Sequence, residues 1–156
     1  MPMSFSGEVK EELAEYTVEA RHCLIAELSA MLSMGSRVKK EGGGYIIVFN
    51  TENIALARKI EKYIHDGFSY SPQICVRCGG HGAHSHIYTV RVDEPSAAEQ
   101  ILMATKLMTR DEAPSEDLLP KNFMAVKNDC CRRAFIRGAF LTSGSMSDPE
   151  KFYHFE

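Results

Sequence analysis

The chain has 156 residues, 44% of them hydrophobic and 25% charged, enough for one packed core with some chain to spare. A net charge of −3 excludes a protein that holds nucleic acid over its whole surface, so any such contact has to come from local basic patches. No apolar run reaches the roughly 18 residues that span a bilayer, and the polar opening lacks the apolar stretch of a secretory signal, so the expected location is the cytoplasm.

Residues 4–18 read as a helix, with Ser6 as its N-cap and Val9, Leu13 and Tyr16 at helical spacing. A second helix over Ala20–Met34 carries Leu24, Ile25, Ala26, Leu28, Ala30, Met31 and Leu32, apolar on nearly every side. That pattern belongs to a helix buried between partners, and Gly35 ends it. The period then changes to two. Ser36–Lys40 and Tyr45–Asn50 flank Glu41-Gly42-Gly43-Gly44 and read as a β-hairpin. Thr51 or Asn53 caps a helix from Ile54 to His65. A second hairpin follows, Gln73–Cys78 and Ile87–Asp93 around the Gly/His-rich loop Gly79–His86. Pro95 opens a helix running to about Met108, and the acidic, proline-containing stretch 110–127 reads as a linker.

Asn128 and Asp129 cap a last helix, Cys130 to Ser143, ended by Gly144. Beyond it Phe152, His154 and Glu156 alternate with Tyr153 and Phe155, as at the start of a strand with no partner. Two segments echo each other. His22-Cys23 leads into an apolar helix ending Met34-Gly35-Ser36; Cys130-Cys131 leads into one ending Ser143-Gly144-Ser145. The expected fold is α+β, one complete α-ββ-α-ββ-α unit plus the first helix of a second unit. The expected organisation is an N-terminal helix in 1–19, a first unit in 20–109, a linker in 110–127 and the truncated start of a second unit in 128–156.

The stretch Cys130-Cys131-Arg132-Arg133-Ala134-Phe135-Ile136-Arg137-Gly138-Ala139-Phe140-Leu141-Thr142-Ser143-Gly144-Ser145, with Asp148-Pro149-Glu150 and Tyr153-His154 after it, resembles the signature of WhiA proteins. Ser4-Phe5-Ser6 with Val9-Lys10-Glu11-Glu12-Leu13 resembles the opening of the same family. The resemblance implies a homing-endonuclease-like (LAGLIDADG) scaffold in a bacterial regulator of sporulation or cell division, nucleoid-associated. It also implies that DNA is bound mainly through a helix-turn-helix domain beyond Glu156.

In LAGLIDADG endonucleases one helix per unit ends in an acidic residue just before a glycine. The two carboxylates hold the divalent metals that activate water for phosphodiester cleavage. The resemblance puts Met34 and Ser143 at those positions. A thioether and a hydroxyl supply no charge for Mg²⁺, so the expected protein is not an enzyme and needs no cofactor. The small residues of the helix pair remain: Ala26, Ala30 and Gly35 in one, Ala134, Gly138 and Ala139 in the other.

Three other groups carry possible chemistry. Cys75 and Cys78, followed by His81, His84 and His86, have the residue types of a zinc site, although strand alternation turns the two cysteines to opposite faces. Arg37 and Lys39 on the first hairpin, with Arg77 and Arg91 on the second, fall on the polar face of the predicted sheet, which in LAGLIDADG proteins lies on DNA; the competing reading is a solvated face. Arg132, Arg133 and Arg137 lie on the last helix, facing phosphates, an acidic partner or only solvent. The five cysteines, an odd number with Cys130 and Cys131 adjacent, read as free thiols, with a metal site as the lesser alternative; Cys130 and Cys131 at a helix start are packed or lowered in pKa. The expected partners are DNA, a partner protein, and a second copy of the chain through its exposed apolar helix or terminal strand. The rival classes are a metal-dependent DNA endonuclease and a small zinc-binding module.

Overall fold

The computed structural model describes residues 3–78, 86–121 and 126–156. Helix α1 spans Phe5–Glu15. Its N-cap is Ser4 rather than Ser6: the Ser4 hydroxyl accepts from the Gly7 amide at 3.1 Å, which places the helix start two residues earlier. Helix α2 spans Arg21–Gly35 and runs straight into β1 (Ser36–Glu41), which pairs with β2 (Gly44–Thr51). The turn between them is made by Gly42 and Gly43, both at positive φ, where a side chain would strain the backbone.

Helix α3 (Ile54–Phe68) follows, capped by the Asn53 carboxamide, which accepts from the amides of Ala55 and Leu56. It runs three residues past His65 because its apolar stripe continues to Phe68, and Ser69 ends it in the left-handed region. Strands β3 (Gln73–Cys78) and β4 (His86–Val92) form the second hairpin; the loop that joins them lies outside the described residues. Helix α4 (Pro95–Ala104) stops short of Met108, since Lys106 takes a positive φ and the chain turns there. Helix α5 spans Asp129–Ser143.

The four strands form one antiparallel sheet in the order β1-β2-β4-β3, with the hairpins meeting along β2 and β4. Its inner face presents Ile47, Phe49, Val90 and Val92, all buried, to α2, α3 and α4. Leu28, Met31, Leu32, Ile60, Ile64, Ile101 and Leu102 fill the space between. Helix α2 is buried all round because the sheet and α3 cover one side and α5 the other. The α2–α5 crossing is close. A β-carbon on Gly138 would stand 2.5 Å from the Glu27 carbonyl oxygen and 3.2 Å from the Ala30 methyl.

The stretch after α4 is held against the helices: Leu118 is buried, its carbonyl accepts from the Ser33 hydroxyl at 2.8 Å, and the Lys121 amide donates to Lys106. One expectation from sequence is corrected: the terminal strand is not unpaired. The chain turns at Asp148–Lys151, and Ser145–Ser147 pair with His154–Glu156, with Phe155 stacked on Phe140. A short return through Pro149 satisfies the backbone groups that a lone strand would leave open.

Candidate nucleic-acid interface and helix junction

Helices α2 and α5 end side by side. The Ser143 hydroxyl lies 3.2 Å from the Met34 sulfur, and both residues are exposed. The two positions singled out by sequence thus meet at one point of the surface, where they offer a thioether and a hydroxyl. Gly35 beside them is required sterically: a β-carbon there would enter the Phe49 ring at 2.3 Å and reach the Thr142 methyl at 2.6 Å. Neither helix itself ends in a carboxylate; Glu156 of the returning segment lies beside the end of α5, its backbone paired with Ser145 and its carboxylate 3.1 Å from the His154 imidazole.

The outer face of the sheet follows from its register. Arg37 pairs with Val48, Val48 with Arg91, and Arg91 with Gln73, so all four form one row on one face. Lys39 lies two residues along β1 on the same face, and Arg77 lies at the far end of β3. With strands about 4.8 Å apart, Arg37 and Arg91 are about 10 Å from each other across the sheet. Arg37, Lys39 and Arg77 are exposed. Arg91 is ion-paired with Asp93 and has Glu41 at 3.9 Å. The Asp93 hydrogen bond, against a smaller cost of desolvation, holds its guanidinium above the usual range. Among the described residues this face therefore has three cations with no acid partner and a fourth already matched by acids.

Arg137 is placed elsewhere than on a solvent face. Its guanidinium donates to both oxygens of Glu27, at 3.0 and 2.9 Å, and stacks over Tyr16 at 4.7 Å. Glu27 is fully buried and also holds the Lys59 ammonium and the Tyr63 hydroxyl, the latter at 2.7 Å. Lys59 in turn donates to the carbonyls of Leu13 and Tyr16 at the end of α1. Burial pushes the Lys59 ammonium below its ordinary range, with Glu27 opposing, and pushes the Tyr63 phenol up. One carboxylate thus ties α1, α2, α3 and α5 together, and Arg137 is withdrawn from phosphate contact. Arg132 and Arg133 remain exposed on α5, Arg132 facing Asp129 at 3.4 Å.

The strand β3 continues through Cys78, so Cys75 and Cys78 do point to opposite faces, pairing with Thr89 and His86. His81 and His84 lie outside the described residues, and His86 packs edge-on to Tyr88. A different set of soft ligands is brought together. His22 and Cys23 in the first turn of α2 face Cys130 and Cys131 in the first turn of α5, with one ligand atom from each lying within 4.8 Å of the others. The His22 Nδ1 is 3.2 Å from the Cys131 sulfur, 3.4 Å from that of Cys23 and 3.7 Å from that of Cys130. Burial first, then the neighbouring thiols of Cys130 and Cys131, push the Cys23 thiol up to about 11. The sequence carried the signal in the paired His-Cys and Cys-Cys at equivalent starts of two echoing helices; it was legible as a repeat and not as a cluster.

A hairpin-paired sheet under two crossing helices, whose ends meet at a surface point, defines a LAGLIDADG-like scaffold. Residues 21–108 match the WhiA N-terminal LAGLIDADG-like domain, and residues 132–156 match the WhiA LAGLIDADG-like domain. The chain belongs to the WhiA N-terminal LAGLIDADG-like domain family. Relatives named "Probable cell division protein WhiA" include one from Lachnoclostridium phytofermentans, 42% identical over 155 residues, which are 99% of this chain and 49% of the relative. Another, from Thermoanaerobacter pseudethanolicus, is 37% identical with the same coverage. The chain thus spans about half the length of the curated relatives it matches. Among solved structures, the N-terminal LAGLIDADG domain of DUF199/WhiA superposes with a TM-score of 0.64 at 21% identity, covering 99% of this chain and 66% of that one. The full-length DUF199/WhiA from Thermatoga maritima gives 0.61 at 22% identity, covering 98% and 44%. Both likenesses carry the fold. No described helix is long and apolar enough to cross a membrane.

Proposed function

We propose that this chain is the N-terminal scaffold of a DNA-binding transcription regulator of cell division and sporulation, working in the cytoplasm at the nucleoid, and that the scaffold is catalytically inactive. The observation that carries the inactive reading is the Met34–Ser143 contact at 3.2 Å. Phosphodiester cleavage on this scaffold needs hard oxygen ligands at the helix ends to hold a divalent cation, and neither side chain provides the charge. The name of the curated relatives supports the cell-division part of the reading.

The outer sheet face supports a weak, sequence-independent DNA contact through Arg37, Lys39 and Arg77, with Arg132 and Arg133 on α5 as further phosphate ligands. Principal DNA affinity is assigned to segments of the longer relatives beyond this chain. Two measurements test the proposal. Incubation of supercoiled plasmid with the chain and Mg²⁺ or Mn²⁺ is expected to leave the plasmid intact; metal-dependent nicking by the purified chain would restore the endonuclease reading. Fluorescence anisotropy of a labelled duplex at low salt is expected to show weak binding, and Arg37→Glu/Lys39→Glu/Arg77→Glu is expected to flatten the log K against log salt slope by about 3. An unchanged slope in a folded triple variant would move the role of this face from DNA to protein contact.

A further inference from the structure

We propose that His22, Cys23, Cys130 and Cys131 form a mononuclear zinc site that clamps the start of α2 to the start of α5. Three thiolates and one imidazole are an established tetrahedral donor set for this ion. With Zn–S near 2.3 Å and Zn–N near 2.0–2.1 Å, a tetrahedron requires N···S edges of about 3.6 Å. The three edges from His22 Nδ1 measure 3.2, 3.4 and 3.7 Å, and every pair of ligand atoms in the group lies within 4.8 Å. That spacing suits one ion and leaves no room for the inorganic sulfide of an iron–sulfur cluster.

The surroundings also suit a charged centre of this kind. The four residues occupy the second and third positions of α2 and α5, so both positive helix ends point at the thiolates. Neither helix has a side-chain cap: Ala20 has no group to offer, and Asn128 makes no capping bond. Cys23 and Cys131 are buried, with Ala26, Ala134, Val18, Val126 and Phe135 packed around them, which shields two of the three metal–sulfur bonds from water, while His22 and Cys130 close the site on its exposed side. On binding, each of three thiols gives up its proton to solvent and neutral imidazole binds through its lone pair, leaving a net charge of −1 for the bound centre. The ligands come from residues 108 and 109 positions apart, so the ion would tie the two echoing helices at the opposite end from Met34 and Ser143. This inference is independent of the DNA reading: it concerns the helix starts, and the site binds no substrate.

The test uses the 156-residue chain with no polyhistidine tag, purified without chelator. Elemental analysis is expected to give about one zinc per chain, with Cys130→Ser/Cys131→Ser lowering it about tenfold or more and Cys75→Ser/Cys78→Ser leaving it intact. So that the test does not depend on the first double variant folding, the unmodified chain carries two further readouts. Stripping the metal is expected to raise the thiols of the folded chain that react with a disulfide reagent from the two outside the cluster, Cys75 and Cys78, to three by freeing the exposed Cys130. Adding Co²⁺ to the stripped chain is expected to give sulfur-to-cobalt charge-transfer absorption and the intense visible bands of a tetrahedral ion. Zinc-free chain that gives no cobalt spectrum, a disulfide among Cys23, Cys130 and Cys131, or metal that leaves with Cys75 and Cys78 would each overturn the proposal.

Discussion

At the scale of single residues, Glu27 is the side chain on which most depends. It is fully buried, yet every polar atom it presents is matched, by Lys59, Arg137 and Tyr63. A buried ion pair adds little when compared with a well-packed apolar replacement, but removing one partner strands the others without water. Glu27→Gln leaves the Lys59 ammonium and the Arg137 guanidinium in one dry site with no anion. The expected loss is about 3–5 kcal/mol in urea unfolding. Lys59→Met is expected to cost less, because Glu27 keeps the two-pronged Arg137 contact and the Tyr63 hydroxyl. Equal losses for the two variants would show that the network is not centred on the carboxylate. The apolar residues of this helix mark it as buried, and Glu27 is the single acid among them. The acid itself was the visible sign, since a helix covered on all sides cannot carry an unpaired charge. Its partners were not visible: Lys59 is 32 residues away and Arg137 is 110.

At the scale of elements, the helices and strands follow from local pattern, and their ends follow from local hydrogen bonds. The α+β class, the two hairpins and the polar row of Arg37 and Arg91 were legible because alternation and turn glycines act within a few residues. The misplaced ends, at Ser4, Phe68 and Ala104, depend on capping groups and turn angles that periodicity does not register. The small residues of α2 and α5 pointed correctly to a close crossing. What they did not reveal is how little room it leaves, since Gly138 sits against the Glu27 backbone rather than a movable side chain. Gly138→Ala is therefore expected to destabilise the chain by about 1–3 kcal/mol, because the helices must part to admit the methyl. The gain in helix propensity, about 1 kcal/mol, works in the opposite direction. A variant at least as stable as the parent would mean that the crossing has slack. The same variant reads on the cysteine cluster: parting the helices at Gly138 is expected to lower zinc retention against a chelator.

At the scale of the whole molecule, a contiguous apolar surface remains among the described residues after the core is filled. Met34, Ile136 and Phe155 are 47%, 59% and 61% exposed and line a shallow groove with Phe135, Ala139 and Phe140, beside the returning segment that carries Phe152 and Tyr153. Scattered apolar residues on a surface need no partner, but a contiguous group around a groove marks a place for contact. The association expected from the sequence rested on an exposed apolar helix or the terminal strand; since that strand is paired within the chain, the groove along α5 is the surface left to support it. A second copy would bring like grooves together, the self-complementary arrangement of a twofold dimer. The expected outcome is a concentration-dependent rise in mass by light scattering coupled to size exclusion, abolished by Ile136→Glu. That position is exposed on α5 and outside both the Glu27 network and the cysteine cluster, so its charge is expected to leave the unfolding midpoint within about 0.5 kcal/mol of the parent. A chain that stays monomeric at high concentration would assign the groove to contacts with a different protein. Association that survives Ile136→Glu would place the interface elsewhere, with the open edge of β3, where Val76 is 59% exposed, as the next surface to vary.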